Sequence, residues 1–255
     1  MSEQLQLDFD KIIKTSKFSN EEIQSKKFFL KKFIENGFPN RKQEDWKFLD
    51  ISQIIKKNIS DLSFFNDYSL PNKIDPSIFV DGLEHNKIIF INGRIEKIDF
   101  SYEDQNKIEI KDEIEKNISF DYENSLIDLN SAFINKVFKI IVNKNYSLKK
   151  PLIIYHSTND KVKSTNVNLR LDFELGENSC LRLIDFFTDN TNKNFINIFY
   201  NFNLLKDSIL KNYKIDKFKN DNLKYSFNNI EQGNNSVSET FIFSAGSDYF
   251  KNEIN

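Results

Sequence analysis

The spacing of hydrophobic residues changes along the chain and divides it into three regions. Between residues 20 and 36, apolar side chains recur three or four positions apart, which is typical of an amphipathic helix. From about residue 134 onward, apolar and polar side chains alternate in one run after another, which is typical of β-strands. We therefore predict a helical region, a connecting region and a strand-rich core, with the bounds 1–80, 81–133 and 134–255.

The first predicted helix has recognisable start and stop signals. Ser19 can cap its N-terminus, and Glu21 and Glu22 follow in the first turn, where the helix dipole favours acidic side chains. Gly37 and Pro39 then end the helix.

A second, short helix is predicted to begin near Lys42. It would carry three apolar residues: Trp46, Leu49 and Ile51. Trp46 is the only tryptophan of the chain, and it stands among many charged residues. Pro71 and Pro76 indicate an irregular connection after this helix.

The stretch KIIFINGRIEKIDF, residues 87–100, predicts a β-hairpin. Two alternating apolar runs flank Asn92 and Gly93, a pair that suits a type I′ turn. Residues 101–133 are acidic and poorly patterned, and their pattern does not favour helix over strand.

The strands of the core are predicted to begin roughly every 12–16 residues. In residues 167–175, apolar side chains face one way and polar side chains the other; the apolar set is Val167, Leu169, Leu171, Phe173 and Leu175. This rhythm fits an antiparallel β-sandwich or a β-solenoid, and spacing alone does not choose between them.

Composition places the chain among folded proteins. It has 255 residues with 26 Phe and 9 Tyr, too many aromatic residues for a disordered chain. The net charge is −2, and residues 61–130 hold 7 basic against 16 acidic side chains. We interpret this acidic stretch as a solvated connection, with a surface for a basic partner as the alternative. No block is basic enough to indicate nucleic acid as the main partner.

The sequence also suggests where the protein works. The first residues lack the basic and apolar segments of a signal peptide, and no stretch approaches the roughly 18 apolar residues of a membrane span. A single cysteine excludes a disulfide within the chain. These features favour a cytoplasmic protein without a membrane partner.

Few residues are candidates for chemistry. His156 could be a metal ligand or a general base, but it lacks a nearby partner in the sequence, and His85 is weaker still. Cys180 can share a strand face with Arg182, although a small buried side chain is the plainer interpretation. The acidic run 103–115 lacks calcium-loop spacing and suits a solvated surface. Phosphate-loop and hydrolase motifs are absent. We therefore predict no catalytic, cofactor-binding or metal-binding residue, and no enzyme.

The stretch GFPNRKQEDWKFLDIS, residues 37–52, resembles the characteristic turn of the SufD family, scaffold subunits of the Suf iron–sulfur cluster assembly system. The residues that carry the resemblance are Gly37, Phe38, Pro39, Arg41, Glu44, Trp46, Lys47 and Phe48. Residues 89–95 and 130–156 are similar to further stretches of the family. We interpret the matching residues as structural. Trp46 would be a buried anchor, and Arg41 and Glu44 would close the turn with a charged hydrogen bond.

The resemblance implies a fold and a function. The fold is a right-handed parallel β-helix after a small helical region. The function is that of a scaffold pairing with a SufB-like subunit and a SufC-like ABC ATPase; the ATPase would bind the ATP, and this chain alone would bind no cofactor. The alternatives are a β-helix enzyme acting on carbohydrate and a β-sandwich binding module.

One departure from the family concerns length. SufD proteins are longer, and their functional histidine and their SufC-docking helices lie late in the chain. Residues 238–255 begin another strand pair without a capping helix or a polar terminal coil. We therefore expect an N-terminal fragment that lacks the SufC-docking region, with an incomplete β-helix that self-associates.

Overall fold

A helical N-terminal region precedes a parallel β-solenoid of about four turns. The structure, a computed structural model, describes residues 2–67, 72–113, 124–188, 193–217, 222–246 and 249–255. Pro71, part of the predicted acidic run and part of the final stretch lie outside the described residues. None of the helices described combines the length and apolar character needed to cross a membrane.

The described residues form four α-helices: α1 (Ser2–Thr15), α2 (Asn20–Asn36), α3 (Ile51–Asn58) and α4 (Ser125–Phe133). Ser19 caps α2, as predicted, and together with Glu22 it forms a capping box. The Ser19 hydroxyl accepts a hydrogen bond from the Glu22 amide at 3.2 Å, and the Glu22 carboxylate accepts one from the Ser19 amide at 2.7 Å. Gly37 ends the helix with a φ of 67°.

The predicted helix near Lys42 is wrong in its placement. Trp46 closes a single 3₁₀ turn, Glu44–Trp46, and α3 begins only at Ile51. The 3₁₀ turn and α3 are separate because Asp50 caps α3. Its carboxylate accepts a hydrogen bond from the Gln53 amide at 3.0 Å. The helix α1 was not predicted as a separate element, although its buried residues have helical spacing: Leu5, Phe9 and Ile12.

The predicted hairpin is confirmed. Strand β1 (Asn86–Ile91) pairs antiparallel with β2 (Arg94–Asp99). Asn92 and Gly93 have φ values of 54° and 78°, the two positive values that a type I′ turn requires.

The core is a parallel solenoid, so the β-sandwich alternative is wrong. After the hairpin come β3 (Ile108–Glu113), β4 (Val137–Val142), β5 (Leu152–Ser157), β6 (Asn166–Leu175), β7 (Cys180–Thr188), β8 (Phe195–Leu204), β9 (Ile209–Lys217), β10 (Leu223–Gln232), β11 (Val237–Ala245) and β12 (Tyr249–Ile254). These strands form two sheets, with the orders β2-β1-β5-β7-β9-β11 and β3-β4-β6-β8-β10-β12. The pairs β1–β2 and β3–β4 are antiparallel, and all other strand pairs of the described residues are parallel.

One corner of three consecutive coils repeats the same turn. Asn178, Asp207 and Asn235 each adopt a positive φ, between 55° and 57°, and each is followed by a serine. The Asn178 amide donates to Lys206 O of the next coil at 3.1 Å, and the Asp207 amide donates to Asn234 O at 2.9 Å. This turn holds consecutive coils in register, because asparagine and aspartate tolerate the left-handed conformation better than most residues.

The two sheets bury different surfaces. Apolar side chains from both sheets fill the solenoid interior in its first coils. The outer face of the second sheet packs against α1, α2 and α4 in a separate apolar cluster. Asn130 of α4 fixes this contact, since its side-chain amide donates to the backbone oxygens of Leu169 (3.1 Å) and Asn197 (2.8 Å).

Polar side chains occupy inward positions in the later coils. Lys224, Ser226 and Asn228 of β10 alternate with the outward Tyr225 and Phe227. The interior of the later coils is therefore partly polar. Alternation alone does not predict this, because it shows which side chains share a face and not which face points inward.

Candidate functional site

Six side chains meet inside the solenoid and form what we call the interior cluster: His156, Asp185, Tyr200, Lys214, Asp216 and Lys224. They come from β5, β7, β8, β9 and β10, and none is more than 5% exposed. Asp185 and Lys214 are direct neighbours in the parallel ladder between β7 and β9. The cluster thus depends on strand pairing from one coil to the next.

Asp185 is the centre of this cluster. One carboxylate oxygen lies 2.7 Å from His156 Nε2, and the other lies 3.2 Å from Lys214 Nζ and accepts from the Tyr200 hydroxyl at 2.5 Å. Burial alone would raise the pKa of Asp185, but Lys214 and His156 hold that pKa well below its usual range. Asp185 is therefore a fixed negative charge.

His156 lies between two phenyl rings. Its imidazole stacks on Phe187 at a centroid distance of 4.0 Å and on Phe90 at 5.4 Å. Because a carboxylate only accepts hydrogen bonds, the Nε2–H group donates to Asp185. Burial lowers the pKa of His156; Asp185 opposes this shift, and Lys224 and Lys214 add to it. The imidazole is therefore neutral at neutral pH.

The two lysines of the interior cluster each face a carboxylate and an aromatic ring. Lys214 lies 3.4 Å above the ring centroid of Tyr200, and Lys224 lies 3.5 Å above that of Phe187. Lys224 Nζ also donates to Asp216 at 2.6 Å. Burial lowers the pKa of Lys214 to about 8, with Lys224 contributing and Asp185 opposing the shift.

Several polar atoms beside the cluster have no hydrogen-bond partner among the described residues. They are both side-chain polar atoms of Asn212, Oδ2 of Asp216 and Oδ1 of Asn228. Each belongs to a side chain that is at most 1% exposed. A buried polar group in this state costs free energy, so the layer between β9 and β10 is a weak part of the interior.

A narrow cleft connects the cluster to the surface beside His156. Its volume is about 20 Å³, and Gly93, Thr158 and Thr188 line it together with His156 and Phe187. This volume is enough for one water-sized molecule and for nothing larger. A proton can therefore reach His156, whereas a substrate of ordinary size does not fit.

The remaining sequence candidates lie apart from the cluster. His85 is buried and bridges Leu83 O (2.6 Å) and the Tyr155 hydroxyl (2.8 Å). Cys180 is half-buried and, by strand alternation, shares an outward face with Arg182, as predicted. Within the part of the chain that the structure describes, no three His, Cys, Asp or Glu residues form a metal-binding group.

The interpretation of the acidic run was wrong for Glu103. Its carboxylate is buried and accepts hydrogen bonds from the Asn86 side chain (2.8 Å), the Tyr146 hydroxyl (2.7 Å) and the amides of Lys149 and Lys150. The Tyr146, Lys150 and Asn86 hydrogen bonds outweigh burial and lower the pKa of Glu103. Glu103 is thus an anchor for the loop before β5.

The predicted burial of Trp46 is confirmed. Trp46 is 6% exposed and lies 5.8 Å from the ring of Tyr225 on the outer face of β10. Pro39 is also buried, and Gly37 is half-buried. The predicted bond between Arg41 and Glu44 is wrong: both side chains are exposed, as is Lys47, and the hydrogen bonds and ion pairs of the described residues do not join them.

The sequence was also compared with known proteins. A scan against models of protein families found no match, and a search among curated proteins found none either. The assignment of a function therefore rests on the residue pattern around Trp46 and on the fold.

Proposed function

We propose that this chain is a scaffold subunit of an iron–sulfur cluster assembly complex of the SufBCD type. It would work in the cytoplasm and pair with a SufB-like subunit. A SufC-like ATPase in the same complex would bind and hydrolyse the ATP. Iron and sulfide are the cargo of the complex, and this chain alone would hold no cluster.

One observation carries the proposal. The turn that resembles the SufD family lies directly on the solenoid, with Trp46 buried between the helical region and Tyr225 of β10. The resemblance implies this combination of a helical region and a parallel β-helix. Pro39 and Trp46 are therefore buried in a fold of the expected kind, whereas Arg41, Glu44 and Lys47 are exposed.

The buried carboxylates of the interior cluster are not placed to act on a carbohydrate. A glycosidase needs two carboxyl groups that reach the sugar. Asp185 and Asp216 are fully buried and each pairs with a lysine, at 3.2 Å from Lys214 and 2.6 Å from Lys224. A polysaccharide does not reach them through a cleft of about 20 Å³.

Co-expression tests the proposal. The tagged chain is produced together with SufB-like and SufC-like proteins of the same genome and is then purified by its tag. We expect the SufB-like protein to be retained. An unrelated β-helix protein with the same tag is the control. Retention of neither protein, together with release of reducing sugars from a polysaccharide panel, would favour the enzyme instead.

A further inference from the structure

The interior cluster is balanced in charge only while His156 is neutral. Around the imidazole, β7 presents Asp185, β9 presents Lys214 and Asp216, and β10 presents Lys224. β8 adds the neutral Tyr200, and β1 adds the ring of Phe90. Two lysines thus face two carboxylates.

A proton on His156 would change this balance. Three cations would then face two carboxylates in a place where solvent does not screen them. The extra proton has an open route, because the cleft at Thr158 and Thr188 reaches the imidazole. In an open state the same histidine is solvated and takes up the proton near its ordinary pKa.

We propose that the interior cluster is a pH-sensitive latch, in which protonation of His156 opens the strands β7, β9 and β10 that hold the cluster together. These strands include the layer around Asn212 and Asn228, where buried polar atoms have no partner among the described residues. Strand β11 pairs with β9 on the edge opposite β7, and its side chains are mostly exposed. The opening would begin in these later coils, whereas the apolar first coils stay closed.

The direction of the effect follows from linkage. A histidine that resists protonation in the closed state favours the closed state above its open-state pKa, and this preference is lost as the pH falls below it. For an open-state pKa near 6.5, the opening equilibrium rises by up to about tenfold between pH 7.5 and pH 5.5, and the full factor applies if the closed state takes up no proton.

Hydrogen exchange of the purified chain, read by mass spectrometry, tests the latch. After correction for the intrinsic exchange rate, we expect less protection in β7, β9 and β10 at pH 5.5 than at pH 7.5, by a factor of up to about ten. His156→Gln should remove this difference, and His85→Gln, at the other buried histidine, should keep it. Equal protection of the wild type at both pH values would overturn the proposal.

A second variant keeps the test valid if His156→Gln fails to fold. Lys214→Met removes one of the three cations, so protonated His156 and Lys224 would face Asp185 and Asp216 in balance. The ratio of protection between the two pH values should then fall towards one. A ratio as large as that of the wild type would contradict the charge count on which the latch depends.

Discussion

The ammonium of Lys251 lies over the indole of Trp46, with Nζ 3.6 Å from the ring centroid. The same Nζ donates to Asp45 O at 2.8 Å, across 206 positions of sequence. Strand β12 is thereby attached to the turn that precedes α3. A tryptophan among charged residues is explained by this arrangement, because one face packs on Tyr225 while a lysine covers the ring.

Replacement of this anchor should destabilise the whole protein. We expect Trp46→Ala to lower the free energy of unfolding by about 3–5 kcal/mol, the usual range for removing a large buried side chain. Phe48→Ala is a matched control two residues away, since Phe48 is 80% exposed and should change stability little. Urea unfolding followed by circular dichroism measures both. A loss after Trp46→Ala no larger than that of the control would contradict the anchor role.

The buried pair of Lys224 and Asp216 should show strong coupling. Lys224→Met leaves a fully buried carboxylate without its partner, and we expect a cost of about 3–5 kcal/mol. Adding Asp216→Leu should restore much of that stability, because the uncompensated charge is gone. A double-mutant cycle in urea measures the coupling, and additive effects would argue against a buried ion pair.

A surface pair on the same strand provides the control for that cycle. Lys211 of β9 pairs with Glu239 at 3.2 Å, but the two side chains are 42% and 61% exposed. Lys211→Met should cost less than about 1 kcal/mol, because solvent screens such pairs.

Stability should rise in alkaline solution through Lys214. Burial lowers its pKa to about 8 in the folded protein, against 10.5 when it is exposed. Between these values the unfolded chain binds more protons, so raising the pH favours the folded state by on the order of 3 kcal/mol. Urea midpoints at pH 8 and pH 10.5, compared between the wild type and Lys214→Met, isolate this contribution. A midpoint that changes equally in both proteins would show that Lys214 is not the source.

Much of the fold was predictable because its signals are local. The capping box at Ser19 and the type I′ turn at Asn92 depend on a few neighbouring residues. The alternation in β6 likewise fixes which side chains of that strand share a face. The choice between sandwich and solenoid is not local, because it depends on which strand pairs with which. The turns at Asn178, Asp207 and Asn235 repeat once per coil and would have indicated the solenoid.

The interior cluster was harder to predict. Asp185 had a signal, since it shares a strand face with Leu181 and Leu183 and should therefore point inward. For Lys214 and Lys224 the sequence signal for an inward position was weaker, because their strands mix polar and apolar residues on the inward face. Their burial is possible only because carboxylates from other strands lie beside them, and a sequence does not show that proximity.

The purified chain should lack the activities of its proposed partners. It has no phosphate loop, and its one Cys and two His are a poor ligand set for a cluster. We expect no ATP turnover and no stoichiometric iron and sulfide after anaerobic reconstitution, as measured by phosphate release and by iron and sulfide assays. Turnover or a stable cluster on the isolated chain would contradict the scaffold assignment.

Pairing with a SufB-like subunit can be read from the molar mass of a mixture of the two proteins. Equal amounts of the two purified proteins are separated by size exclusion with light scattering. We expect a new species whose mass is the sum of this 30.2 kDa chain and one SufB-like protein. Two peaks with the masses of the separate proteins, at concentrations well above micromolar, would contradict it.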